Sequence, residues 1–207
     1  MKILKAILMV LGFAIGGVLL LAATRPSQYH VERTATILAP PGVVFAQVND
    51  FHQWVAWSPW EKIDPEMKRT YAGPRSGRDA SYSWAGNDEV GEGRMTIVES
   101  EPDARVGIRL EFLKPWAETC RSSFALAPEG EGTRVTWRME GNHNFASKVM
   151  CVFMDMDKMI GGDFQKGLGQ LKLVAEAAPA ETDPVASQGA EAGSRNAETS
   201  SGDAEGK

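Results

Sequence analysis

One stretch constrains this sequence more than any other. From Phe145 to Glu176, Val149, Phe153, Met156, Ile160, Phe164, Leu168, Leu171 and Val174 recur three and four apart. That spacing aligns them as one apolar stripe on a long helix. Asp155 with Lys158 and Asp163 with Lys166 sit three apart, where helical side chains meet. Asn142, Asn144 and Ser147 offer N-caps, and Pro179 with the polar residues after it stops the helix. Met150, Met154, Met156 and Met159 crowd the first half, and Gly161, Gly162, Gly167 and Gly169 interrupt the second. Each interior glycine costs about 1 kcal/mol relative to alanine, so something approaches closely there, a strand or a ligand. Methionines suit an irregular, adaptable apolar wall. The pattern fits both a plain core helix and the wall of a cavity. A larger residue at Gly161 separates the two: it fills ligand space at little cost in a cavity wall, and costs about 1–3 kcal/mol in a tight core.

The residues before this helix alternate. Strands are predicted at Met67–Tyr71, Asp79–Ala85, Gly91–Ser100, Arg105–Leu113, Ala117–Leu126 and Thr133–Gly141. Gly73-Pro74, Gly86-Asn87-Asp88, Pro102-Asp103, Lys114-Pro115 and Pro128–Gly132 separate them, all residues that tolerate turn geometry. Tyr82 and Trp84, Val106, Ile108, Leu110 and Phe112, Phe124 and Leu126, and Val135, Trp137 and Met139 fall on one face. Arg105, Arg109, Glu111, Arg134, Arg138 and Glu140 fall on the other. That is an antiparallel sheet with one wet and one dry face, and only the long helix is large enough to cover the dry one. Upstream, Tyr29–Leu38 reads as a first strand with Val31, Ala35 and Ile37 on one side. Pro40-Pro41-Gly42 then opens a short helix, Val43–Asn49, and a second runs from Asp50 to Trp54. Trp54, Trp57 and Trp60 place three indoles within seven residues, a loop that plugs the core or docks a partner.

The two ends differ from the middle. Ala6–Thr24 is an uncharged, mostly apolar run of 19 residues after Lys2 and Lys5, closed by Arg25 and Pro26. As a helix it spans about 28 Å, close to a hydrocarbon core. Leu21-Ala22-Ala23-Thr24 is a poor signal-peptidase site, so the expectation for residues 1–28 is an anchor rather than a cleaved signal. The lysines before the span put the N-terminus in the cytoplasm and the domain, residues 29–176, outside the inner membrane, facing the periplasm or exterior. Residues 177–207 carry six acids against Arg195 and Lys207, with no aromatic and one valine, and read as a disordered acidic tail. The formal net charge of −5, with no basic stripe, argues against nucleic acid.

At this point the chain resembles the helix-grip proteins of the SRPBCC superfamily, the group of START-like domains, birch pollen allergens and polyketide cyclases. It is most similar to the polyketide cyclase/dehydrase and lipid transport members that carry an N-terminal membrane segment. The resemblance rests on WVAWSPWEKIDPEMKRTYAGP (Trp54–Pro74), GNDEVGEGRM (Gly86–Met95), FLKPW (Phe112–Trp116) and MDMDKMIGGDFQKGLGQLK (Met154–Lys172). It implies an α+β helix-grip fold: a curved antiparallel sheet of about seven strands around the long helix, with a cavity between them opening near the short helices.

Chemical signals are sparse. No G-x-S-x-G, H-E-x-x-H, P-loop or dinucleotide fingerprint occurs. Cysteines and histidines are too scattered for a metal site, and no metal, cofactor or catalytic set is expected. His52 is a candidate base without an acidic orienter at a recognisable spacing. Asn87-Asp88-Glu89 is a polar hairpin tip or, as the alternative, an acid–base pair. Arg94 alternates with Val90 and Val98 and either points inward to hold a ligand oxygen or joins a surface ladder. Cys120 and Cys151 are a disulfide or two buried thiols. The leading expectation is a membrane-anchored binding module for a hydrophobic or amphipathic small molecule, a lipid among the options. Its ligand would meet Trp57, Trp60, Tyr71, Tyr82, Trp84, Arg94, Phe112, Trp137, Met156 and Phe164. The alternatives are a cyclase- or hydrolase-type enzyme using the same cavity, and a cavity-free interaction domain.

Overall fold

The computed structural model describes residues 2–24, 26–115, 117–142, 148–149, 152 and 156–178. An apolar helix, α1 (Lys2–Thr24), is followed after residues 25–27 by strand β1 (Gln28–Ile37). Two short helices come next, α2 (Pro41–Val48) and α3 (Trp54–Trp57), then a 3-10 turn at Pro59–Lys62. Six strands succeed one another: β2 (Lys68–Ala72), β3 (Ser81–Ala85), β4 (Glu92–Glu101), β5 (Arg105–Lys114), β6 (Glu118–Glu129) and β7 (Gly132–Asn142). Helix α4 (Met156–Ala177) closes the order. The expected start of this helix at Phe145, its N-caps Asn144 and Ser147, the pair partner Asp155 and the acidic tail from Pro179 lie outside the described residues.

The strands form one antiparallel sheet in the order β1-β7-β6-β5-β4-β3-β2. Register places Val31 opposite Met139, Ile108 opposite Ser122 and Phe124 opposite Trp137. Side chains alternate across a strand, so the inner face gathers Val31, Ile97, Val106, Ile108, Phe124, Val135 and Trp137, all buried. The outer face carries charges, paired between strands as Arg121 with Glu99 (2.6 Å) and Arg138 with Glu32, and along β5 as Arg109 with Glu111 (3.6 Å). Register shifts at Ile97/Glu99 and Glu92/Gly93 bend β4. This is the α+β helix-grip fold that the resemblance implied, and its two-faced antiparallel sheet is the one the alternation predicted.

Helix α4 lies along β1, packing also against α2, α3, the 3-10 turn and β7. Phe164, Leu168 and Leu171 are its fully sealed residues. Its last turns clamp the end of β1: Glu176 accepts from the Leu38 amide (2.7 Å) and Lys172 donates to the Thr36 carbonyl (3.0 Å). Asp163 and Lys166 pair at 3.0 Å, as their spacing predicted. One inner position of β1 is a charge, Arg33, and the helix answers it with Asp157 at 2.9 Å.

The second short helix departs from expectation. Asp50–Trp54 is not helical; Asp50 accepts from the His52 amide (2.9 Å) and the chain turns through residues 51–53 before α3 begins at Trp54. An aspartate that bonds the backbone two residues on competes with helix formation. The delay points Trp54 and Trp57 inward, where both are buried.

Candidate functional site

The inner face holds two groups of rings. The first is a sealed stack between α3, the sheet and α4. Trp137 and Phe164 lie face to face, centroids 4.1 Å apart and 5° from parallel. Phe124 stacks on Trp137 at 4.8 Å, and Trp54 and Trp57 meet both edge-on. The indole N–H groups are satisfied: Trp54 on the Val48 carbonyl, Trp57 on the Gln47 carbonyl and Trp137 on Ser122 Oγ. Gly167 belongs to this stack, since a Cβ there would stand 2.7 Å from Trp137 Cζ3 and 3.2 Å from Pro59 Cδ. Close approach by a strand's side chain, rather than a ligand, accounts for that glycine.

The second group is a ribbon across the far strands. His52, Tyr71, Tyr82, Trp84 and Phe112 contact one another in that order, with centroid separations of 4.1, 5.3, 6.1 and 6.1 Å. Tyr82 is buried, whereas Tyr71, Trp84 and Phe112 are half-buried, as are Met95, Tyr29 and Trp60. Trp84 spreads over Gly93 of the neighbouring strand, and its Nε1 donates to the Val90 carbonyl (3.2 Å). The ribbon therefore keeps apolar surface that the sealed stack does not.

Polar groups are set into this wall. Glu61, 8 % exposed, accepts from the Tyr82 hydroxyl (2.7 Å) and from Arg69 Nε (2.7 Å). Burial first, and then the bond and charge of Glu61, push the Tyr82 hydroxyl pKa far up. At the other end Tyr29 donates to Glu118 (3.1 Å) beside Cys120. Burial raises the Tyr29 hydroxyl and pushes the Cys120 thiol up to about 12, which keeps it an inert thiol. Cys120 is a free buried cysteine; Cys151 lies outside the described residues.

Trp57, Trp137 and Phe164, expected at the ligand, are inside the sealed stack. Trp60 touches the stack edge-on and remains half-buried. Tyr71, Tyr82, Trp84 and Phe112 share the ribbon. Arg94 is not with them: it stands exposed on the outer face, opposite Ser83 and Glu111, and its Nε donates to Ser83 Oγ (3.2 Å). The pleat leaves it no path inward, and the surface ladder is the reading that holds. The Met156 side chain lies outside the described residues. Asn87-Asp88-Glu89 is a polar turn, with Asn87 Oδ1 accepting from the Glu89 and Val90 amides. Sequence reasoning missed Met95, Tyr29 and Glu118, whose inward register is set by partner strands. It also missed that His52 has an acidic orienter, Asp50, with Nδ1 2.8 Å from Oδ1. The D-x-H spacing of Asp50 and His52 was the signal available for that pair.

Residues 28–176 match the profile of the family described as polyketide cyclase / dehydrase and lipid transport. Among solved structures, a protein from Chromobacterium violaceum aligns at TM-score 0.53 and 15% identity, over 74% of this chain and 100% of its own. The Aha1 dimer from Colwellia psychrerythraea aligns at 0.53 and 15%, over 72% and 97%. A protein from Mesorhizobium loti aligns at 0.54 and 12%, over 73% and 99%. At these identities the structural likeness speaks for the fold alone. No curated relative matches the chain.

Proposed function

The chain belongs to the polyketide cyclase/dehydrase and lipid transport family, and from that premise we propose that it is a membrane-anchored module that binds a hydrophobic or amphipathic small molecule, a lipid being the favoured class. The observation that carries this reading is the unequal sealing of the inner face. Around Trp137 and Phe164 the rings are closed off, while Tyr71, Trp84, Met95 and Phe112 stay half-buried on the same dry face and Trp60, on the 3-10 turn, is half-buried at the edge of the stack. A wall of apolar rings with a few fixed polar groups, here Glu118 with Tyr29 and Glu61 with Tyr82, is how small-molecule sites are built. Trp57, Trp137 and Phe164 serve as its rigid backing. The anchor reading is supported by α1, 23 residues long, with Ile7, Leu8, Val10, Phe13 and Leu20 all exposed. Such a helix leaves its apolar side chains to lipid.

The test uses the full chain in lipid nanodiscs and diphenylhexatriene, an uncharged apolar fluorophore that accepts energy from indoles. A saturable transfer signal above empty nanodiscs is expected, and Met95→Trp, which fills the space beside Trp84 and Phe112, should abolish it while the thermal midpoint stays measurable. Signal no greater than that of empty nanodiscs would overturn the binding reading.

A further inference from the structure

A concavity of about 290 Å³ opens at the edge of the sheet where β2 turns into β3, and no residue of α4 lines it. Phe51, Tyr71, Pro74 and Ala80 give it apolar surface, Ser81 adds a hydroxyl, and its two basic groups are His52 and Arg75. Both basic side chains are held by one buried carboxylate. Asp50 is 7 % exposed; its Oδ1 accepts from the His52 amide (2.9 Å) and ring Nδ1 (2.8 Å), and its Oδ2 accepts from Arg75 Nε (3.2 Å). The His52 ring is further fixed by stacking on Tyr71, centroids 4.1 Å apart and 17° from parallel.

This arrangement spends the carboxylate on orientation and leaves donors over. With Nδ1 engaged, His52 has Nε2 to present, and with Nε engaged, Arg75 has both terminal amino groups; among the described residues neither set meets a protein acceptor. The Arg75 guanidinium keeps its charge, and the one carboxylate nearby meets it through Nε, so its terminal amino groups face the pocket beside the His52 ring. Two terminal guanidinium nitrogens match the two oxygens of a carboxylate, and the apolar surface suits a short hydrocarbon or aromatic tail.

We propose that this pocket, at the His52–Tyr71 end of the ring ribbon and away from α4, is a binding site for a small organic carboxylate with an apolar tail, gripped by Arg75 and His52 and preorganised by Asp50. Its size lies at the low end for small-molecule sites, which excludes a whole phospholipid.

The experiment titrates hexanoate into the full chain in nanodiscs, with histidine rings labelled with nitrogen-15 and the His52 signals assigned from His52→Gln. It is run at pH 5.5, where free imidazole is mostly protonated and a carboxylic acid mostly ionised. The His52 ring signals should shift and saturate, hexanol should not reproduce the effect, and Arg75→Ala should weaken hexanoate at least tenfold. Arg75 is a surface side chain, so that variant folds, and its signal with the uncharged diphenylhexatriene should match the parent. Asp50→Asn should weaken hexanoate as well by releasing both basic arms. His52 signals that fail to saturate, an equal response to hexanol, or unchanged affinity in Arg75→Ala would overturn the proposal.

Discussion

Two glycines on one helix show how differently the same residue type is used. Gly161 faces Arg33: a Cβ there would run into the guanidinium, the movable tip of a long side chain that can swing out, giving up its pair with the exposed Asp157 and its bonds to the Glu32 and Asp157 carbonyls. Such pairs are worth up to about 1 kcal/mol, and alanine recovers about that much in helix propensity. Gly167 faces Trp137 and Pro59, which are held by the stack. Gly161→Ala should therefore leave unfolding free energy within about 1 kcal/mol of the parent, and Gly167→Ala should lower it by about 1–3 kcal/mol. Denaturant unfolding of the two variants checks the contrast. Asp50 gives a second expectation. Burial works against its charge, but the bonds from the His52 amide and ring and the nearby charges of His52 and Arg75 outweigh it and hold its pKa below the usual carboxylate range. A carboxyl depressed in the folded state stabilises above its unfolded value, about 3.9, and that contribution is lost as pH falls through the folded value. The stability gap between the parent and Asp50→Asn should shrink as pH is lowered below about 4.

At the scale of elements, α4 is fixed by the ring it inserts. Phe164 is fully buried and parallel to Trp137; Phe164→Ala should cost about 3–5 kcal/mol, read as a fall in the denaturant midpoint at unchanged slope. A loss below 1 kcal/mol would mean that the helix is held by its ends at Thr36 and Leu38 instead. The strands were legible because their two faces meet different media. Val106, Ile108 and Leu110 against Arg105, Arg109 and Glu111 is a period of two that no helix tolerates. Their ends were less so: Asp79 was expected in β3, yet it sits at φ 69 in the preceding turn, a property of local backbone that hydropathy does not encode. The short helices slipped for a similar reason, because the Asp50 side chain captures its own backbone. The ring wall was legible as a list and not as depths. Trp137 and Trp84 look alike in a pattern, and only the placement of α3 and α4 decides that the first is sealed and the second half-open. His52 and Asp50 are two apart, and it takes a turn to bring such neighbours together.

For the whole molecule, the asymmetry of charge around α1 predicts which side the domain occupies. A periplasm-active reporter fused after Lys207 should be active and a cytoplasm-active one silent, with the N-terminal segment retained on the mature chain. Mature chains beginning between Thr24 and Ser27 would indicate cleavage. Thr24 ends α1 and Gln28 begins β1, so the connection stretches to about 14 Å at most. A domain of about 150 residues is about 40 Å across, from a radius of gyration near 15 Å. With α1 in a bilayer, no point of the domain travels more than about 55 Å from that bilayer's surface. On the proposed anchored reading, the protein would patrol a thin layer over one membrane and could not carry a ligand away from it. A ligand of the proposed wall would then have to come out of that membrane or be delivered into that layer, and any acceptor would have to come within the same short radius.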